Sequence, residues 1–312
     1  MTLKACLKSM RLRTLPLSLA GTVTGIFCLG TGGCAHPVPT VVFLALTTAL
    51  LQVLSNLSNE LGDTLHGTDT AQREGIHYSL QDGDMTIPQM RRLIACTAIS
   101  CCISGLAMLW ASFGSLLHIE VGILLALGAA AIWAAMHYTL GKNPYGYRGL
   151  GDLFVFIFFG LVSTCGACYV CAHNFGLRTV IAASILPACG IGCLSIGVLN
   201  VNNIRDAATD AANRTTVAIR LGAEGARIYQ TALIVAALVF IAAHAAGLSA
   251  LMARLPAEGS WGRWLWLITI PLFIKHLHGV WTRSGRALDP MLPLLVMSTF
   301  ALAILLGAGP LL

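Results

Sequence analysis

The residues best equipped for chemistry lie between Asn56 and Asp69, Asn-Leu-Ser-Asn-Glu-Leu-Gly-Asp-Thr-Leu-His-Gly-Thr-Asp, where an apolar run gives way to carboxylates. Asn56, Asn59 and Asp63 are spaced three and then four apart, so a helix places them on one stripe with Glu60 beside it. Gly67 is expected to end that helix and turn the chain, bringing Asp69 back toward Asp63. Clustered carboxylates repel one another unless a cation neutralises them. Hard oxygen donors suit Mg2+, which takes one or two protein carboxylates and fills its other positions with water and substrate phosphate. A second stretch, Asn202-Asn-Ile-Arg-Asp-Ala-Ala-Thr-Asp210, repeats the pattern, with Asn202, Asp206 and Asp210 at i, i+4 and i+8. The Asn-x-x-x-Asp kernel of Asn59 and Asp63 thus recurs 143 residues later. Two facing stripes with Arg nearby would hold metal ions and a diphosphate, Asp63, Asp69, Asp206 and Asp210 being the candidate ligands. Simple marking of helix ends at a water boundary would require neither the spacing nor its recurrence.

Two further segments add cations. The run from Tyr138 to Asp152 is rich in Gly and Pro, which fix an irregular backbone, and it presents Lys142, Tyr147, Arg148 and Asp152. These are candidates for holding an anionic aromatic, with Tyr145 and Tyr147 as stacking faces. Arg214-Thr-Thr-Val-Ala-Ile-Arg220 follows the second acidic stripe and supplies two more cations and two hydroxyls. The polar segment from Asp69 to about Pro88 reads as a lid over the site.

The elements that must position these groups are membrane helices. Of the 312 residues, 56% are hydrophobic and only 10% charged, with a mean hydropathy of +0.78, whereas soluble domains carry about 25% charged residues. Spans of about 20 apolar residues fit at 15–31, 38–61, 89–112, 119–140, 152–173, 178–203, 225–249, 261–280 and 291–311. The expected fold is an all-α integral membrane protein of nine transmembrane helices, one domain over residues 1–312, with an internal repeat relating roughly 15–140 to 152–280. Only Arg178, Arg254 and Arg263 of the 19 Lys and Arg fall on one side of such a topology. That asymmetry places the N-terminus and both acidic stripes on the cytoplasmic face. The partners this implies are the lipid bilayer and an anionic substrate, and no nucleic acid. Arg13 is placed to reach either lipid headgroups or the site, and Pro16 to open the first span. Tyr138, with Trp110 and Trp133, fits an aromatic belt.

The eleven cysteines are odd in number and fall mostly inside spans, which argues for packing residues over a disulfide framework. Cys165, Cys168 and Cys171 have a cluster-like spacing, but an intact apolar helix cannot bring three such thiols together. His276 and His278 stand two apart, on different faces of a helix, and read as interfacial residues.

Taken together, these segments resemble the UbiA-type intramembrane prenyltransferases, and within them the branch acting on 1,4-dihydroxy-2-naphthoate in menaquinone synthesis. The Asn56–Asp69 and Asn202–Asp210 stretches resemble its two aspartate-rich motifs, and Lys142–Asp152 its Tyr-x-Gly-Leu-Gly-acid segment; Arg13-Thr-Leu-Pro16 and Thr216–Gly222 also match. Glu60 departs from the usual Asp, and the Glu74–Gln81 stretch lacks an Arg often found there. The resemblance implies a helical bundle around a central cavity, capped on the cytoplasmic side of the inner membrane. It implies a polyprenyl diphosphate donor, a 1,4-dihydroxy-2-naphthoate acceptor and Mg2+ as cofactor. Asn59, Asn202, Arg205, Lys142 and Arg214 would then contact the diphosphate, and Tyr147, Arg148 and Asp152 the acceptor. Relatives acting on 4-hydroxybenzoate, homogentisate or haem are the alternatives within the family. A transporter with repeated halves is the alternative outside it.

Overall fold

The computed structural model describes residues 2–67, 78–211, 214–256 and 260–311, and among these the chain is helical without a strand. In order, the helices are α1 (Leu3–Met10), α2 (Leu15–Leu29), α3 (Pro37–Leu65), α4 (Ile87–Phe113) and α5 (Ile119–His137). There follow α6 (Gly151–Val155), a π-helical stretch (Phe156–Val162), α7 (Ser163–Ala172), α8 (Leu177–Asp210), α9 (Val217–Ala245), α10 (Leu248–Ala253), α11 (Ile270–Thr282) and α12 (Met291–Ala308).

Local chemistry sets the boundaries. Thr2 caps α1, its side chain accepting from the Ala5 amide at 3.2 Å, and Arg11 ends it in the left-handed region. Helix α2 opens with Pro16 in its first turn, as expected, because the missing amide would have had no helical partner there. Thr86 and Gln89 cap each other reciprocally at the start of α4. Helix α3 stops at Leu65, and Gly67 then adopts φ +69°, the turn expected from the sequence. Residues 68–77, including Asp69 and the first part of the expected lid, lie outside the described residues.

Eight helical stretches among the described residues are long and apolar enough to cross a bilayer. The ninth expected span, 261–280, is a 3-10 run from Trp261 to Thr269 continuing into α11. It is helical, but Arg263, Lys275, His276 and His278 lower its hydropathy below that of the other eight. At 1.5 Å per residue, α3 and α8 reach roughly 43 and 51 Å, well beyond a hydrocarbon core of about 30 Å. Their last turns, which carry the acidic stripes, therefore have length to spare beyond the apolar layer.

Packing falls into two main regions. Val53, Leu54, Leu57 and Leu61 of α3 bury against α1 and against Met90 and Ile94 of α4. Ile191 and Leu194 of α8 bury against Ile234 and Ile241 of α9, Phe273 of α11 and Leu302 of α12. Outward faces stay apolar, with Ile99 and Ile103 on α4 and Val235 and Val239 on α9 exposed. Lipid is a favourable neighbour for such faces, where water would not be. Cys165, Cys168 and Cys171 are buried within α7 as free thiols, in keeping with a packing role. His276 corrects the interfacial reading: it is fully buried, with Nε2 3.0 Å from Gln230 Nε2 and Nδ1 3.0 Å from the Met291 carbonyl.

Candidate active site

Both acidic stripes emerge in the closing turns of long helices, and both are largely buried. On α3, Asn56, Glu60 and Asp63 are buried. Asn56 donates to the Met10 carbonyl at 2.9 Å and to Thr14 Oγ1 at 3.0 Å, tying the stripe to the segment between α1 and α2. Glu60 Oε1 accepts the Leu80 amide at 2.8 Å, which anchors the described part of the following connection. Arg13, the residue with two expected destinations, donates to Tyr78 Oη at 3.0 Å, and Arg11 lies 3.6 Å from the centroid of the same ring. Lys8 pairs with Asp82 and, at 3.4 Å, with Asp84. The N-terminal segment thus grips the connection that follows the first stripe.

Tyr147 joins the two stripes. Its hydroxyl donates to Asp63 Oδ1 at 2.8 Å, and its ring meets His66 edge-on with centroids 5.3 Å apart. The Arg214 guanidinium stands 5.6 Å from the same ring's centroid, within cation–π range. The Tyr147 carbonyl accepts the Thr215 amide at 3.0 Å, part of the parallel bridge between Arg148 and Thr215. The Gly-rich loop is thereby clamped between the end of α3 and the start of α9. Thr139 enters close to Gly62, where a Cβ would lie 2.4 Å from its hydroxyl, and donates to the Ser58 carbonyl at 3.1 Å. Only glycine beside Asp63 allows that approach.

On α8, charge is matched by charge. Arg205 grips Asp206 with two bonds of 2.7 Å, Nε to Oδ1 and Nη2 to Oδ2, and reaches Asn202 Oδ1 at 2.8 Å and Asp289 Oδ1 at 2.9 Å. The Arg205 and Asp206 side chains are 7% and 0% exposed, so this pair is desolvated. Arg214 donates to Asp210 Oδ1 at 2.9 Å. Burial works against the Arg214 charge, but Asp63 and then Asp210 more than offset it and raise its pKa above the ordinary value. Asp63 of the first stripe and Asp210 of the second therefore converge on one guanidinium. Among the described residues, no three His, Cys, Asp or Glu side chains gather as a metal site.

A cavity of about 330 Å3 opens beside this cluster, lined by Gln52, Asn56, Asn59 and Tyr138 nearest it and further on mostly by apolar residues such as Phe154 and Phe158, with the hydroxyls of Thr47, Thr48 and Ser163 among them. Tyr138, expected in an aromatic belt, is instead on the cavity wall and within electrostatic reach of Arg214, Asp63, Asp152 and Asp210. Tyr145 stacks on Phe154 at 3.9 Å and donates to the Ala134 carbonyl at 2.7 Å, so it builds the wall. Asp152 accepts from Tyr229 Oη at 2.9 Å. Lys142 and Arg148 are exposed; the loop brings their backbone to the site, but their side chains make none of the contacts that join the two stripes. Tyr138, Tyr229 and Asp289 were not singled out as site residues from sequence. Asp289 alone carried a signal, being the only acidic residue after Glu258.

The profile of the UbiA prenyltransferase family matches residues 18–296. The 1,4-dihydroxy-2-naphthoate octaprenyltransferase of Escherichia coli (strain K12) is 40% identical over 290 residues, covering 92% of this chain and 87% of that one. The protein of the same name from Haemophilus influenzae is 35% identical, covering 98% and 97%. In three dimensions, a UbiA homolog from Aeropyrum pernix K1 superposes with a TM-score of 0.67 at 17% identity, over 96% of this chain and 95% of that one. The helical fold, the paired acidic stripes and these likenesses lead to one conclusion: the chain belongs to the UbiA prenyltransferase family.

Proposed function

We propose that this protein transfers a polyprenyl group from an allylic polyprenyl diphosphate to 1,4-dihydroxy-2-naphthoate, releasing diphosphate and CO2 and giving demethylmenaquinol for menaquinone synthesis. The observation that carries this reading is the convergence of Asp63 and Asp210 on Arg214, beside an apolar cavity, in a chain so similar over its length to enzymes of that name. The allylic carbon–oxygen bond breaks with its electron pair leaving on the diphosphate. Ring electrons form the new carbon–carbon bond, and loss of the carboxylate as CO2 restores the aromatic ring.

The chain's own groups suit these steps. Arg214 offers a buried cation to the departing diphosphate, and Asn59 and Asn202 offer amides to its oxygens. Asp63, Asp210 and Asp206, with Asp69 outside the described residues, are hard oxygen donors of the type Mg2+ prefers, and one or two suffice. Bound there, Mg2+ would neutralise charge developing on the leaving group. Arg205 is engaged with Asp206 and Asp289, so its contribution is to hold the α8 stripe in place. Tyr147 and Asp152 border the acceptor side, with Lys142 and Arg148 at the exposed rim for its carboxylate.

The same reading counts the 261–280 stretch as a ninth span in a single domain of two repeated halves. It places the N-terminus and the capped site at the cytoplasmic face of the inner membrane. The test is a competition between 1,4-dihydroxy-2-naphthoate and 4-hydroxybenzoate for one prenyl diphosphate, with and without EDTA. Decarboxylated naphthol product that disappears in EDTA and returns with Mg2+ is the expected result. Faster prenylation of 4-hydroxybenzoate, or a product that keeps its carboxylate, would overturn the acceptor assignment, and an intact prenyl diphosphate would favour a carrier.

A further inference from the structure

The cavity beside the acidic cluster does not end the apolar path. A second cavity of about 340 Å3 lies further along α5 and α7, walled by Ile123, Tyr169, Leu177 and Ile181 and ending near Glu120. The two share Leu124 and Leu127 of α5, Val162, and Gly166 of α7. Helix α5 borders the path from Ala135 in the first cavity to Glu120 in the second. Its nineteen residues rise roughly 28 Å, about the thickness of the hydrocarbon layer. At the junction, a Cβ built on Gly166 meets nothing within 4 Å, so the space that a side chain would fill is the passage itself.

We propose that Gly166 sets the prenyl tail length this enzyme accepts, by keeping open the passage through which the distal isoprene units reach the second cavity; the proposal rests on the transfer reading given under Proposed function. The occupant follows from the geometry. The amides and the phenol of the first cavity, Gln52, Asn56, Asn59 and Tyr138, lie at its end nearer the acidic cluster, with the hydroxyls of Thr47, Thr48 and Ser163 further along, so a donor whose diphosphate sits at the cluster runs its tail away from it, toward the shared junction. The second cavity is apolar along its walls, with its carboxylate at the end opposite the acidic cluster. A short tail is accommodated in the first cavity, whereas the distal units of a long one extend between Gly166 and the Leu124–Leu127 wall into the second cavity. Any side chain at Gly166 larger than hydrogen narrows that gap.

The experiment compares geranyl and octaprenyl diphosphates as donors to 1,4-dihydroxy-2-naphthoate, measuring kcat/KM for each in membranes carrying the full chain. Gly166→Leu is expected to lower the octaprenyl-to-geranyl ratio by at least about tenfold. The open space at Gly166 and the better helix propensity of leucine favour folding of this variant. Leu127→Phe, which narrows the passage from the opposite wall, should move the ratio the same way. Gly122→Leu, an equal change on an exposed face of α5 outside both cavities, should leave it unchanged. A ratio within about twofold of the parent in both passage variants, or an equal loss with both donors, would overturn the proposal. A parent enzyme that turns over neither donor would remove the transfer reading, and this proposal with it.

Discussion

At the end of α3, Asp63 accepts a hydrogen bond from the neutral hydroxyl of Tyr147, whereas at the end of α8 Asp206 is held by two bonds to Arg205, itself braced by Asn202 and Asp289. The spacing of the two stripes is alike, but their charges are balanced differently. A buried ion pair with one partner removed leaves an uncompensated charge, and that costs far more than losing one neutral hydrogen bond. The α8 stripe is therefore bound into the fold as well as the site. On the α3 stripe, Asp63 accepts from a neutral hydroxyl and faces Arg214, a cation it shares with Asp210. Arg214, between Asp63 and Asp210, is where the two regions meet.

The sharpest way to break this comparison is Asp206→Asn. It should cost up to about 3–5 kcal/mol of stability, because Arg205 would be left with the partly exposed Asp289 as its charge partner, on top of a loss of turnover. Thermal unfolding in detergent measures the first, and an unchanged midpoint would erase the asymmetry. Asp63→Asn should lower turnover by about two to three orders of magnitude, as loss of a group stabilising developing charge does, while its unfolding midpoint falls less than that of Asp206→Asn, because Arg214 keeps its bond to Asp210. A large drop in midpoint would show that the α3 stripe is also structural. Tyr147→Phe removes one neutral hydrogen bond and keeps the ring that faces Arg214. It should slow turnover only about two- to tenfold, a loss of about 0.5–1.5 kcal/mol, whereas inactivity would make Tyr147 a direct participant in the reaction.

The smallest effect concerns the opposite end of the bundle. Cys34, between α2 and α3, has its pKa lowered to about 7 by a hydrogen bond from the Cys171 thiol, acting against burial, with Thr40 adding to the effect. As pH rises through about 7, its thiolate should appear and its labelling by an impermeant maleimide should accelerate, below the ordinary thiol value of 9.0. The label should enter from the outer face and be lost in Cys34→Ser. A cysteine placed at Gln81 should label only from the cytoplasmic face. Labelling of both from one side would place the two ends of the bundle on the same face and overturn the topology.

Much of this organisation was legible before any coordinates. Asn59 to Asp63 and Asn202 to Asp206 could be read as stripes because helical spacing is a local property, and Gly67 could be read as a stop because its backbone freedom is intrinsic to the residue. Composition revealed the membrane because lipid-facing helices must be apolar along their whole length. At 261–280 the stretch is helical, but Arg263, Lys275 and two histidines interrupt its apolar run; the expectation was too simple at His276, which polar partners allow to be buried.

Partnerships over long sequence separations were beyond such local reasoning. Tyr147 finds Asp63 across 84 residues, Arg205 finds Asp289 across 84, and Asp152 finds Tyr229 across 77. No spacing rule links such positions, because each pairing depends on how the helices are rotated and stacked. The same packing turned Tyr138 from an expected belt residue into a wall shared by cavity and charge, and left Gly166 beside open space. Residue types and local periods specified the helices and the chemistry available at their ends. Which carboxylate is gripped by its own arginine and which takes a tyrosine hydroxyl while sharing Arg214 depended on side chains brought together by the bundle, because burial makes an unmatched charge costly only where helices meet.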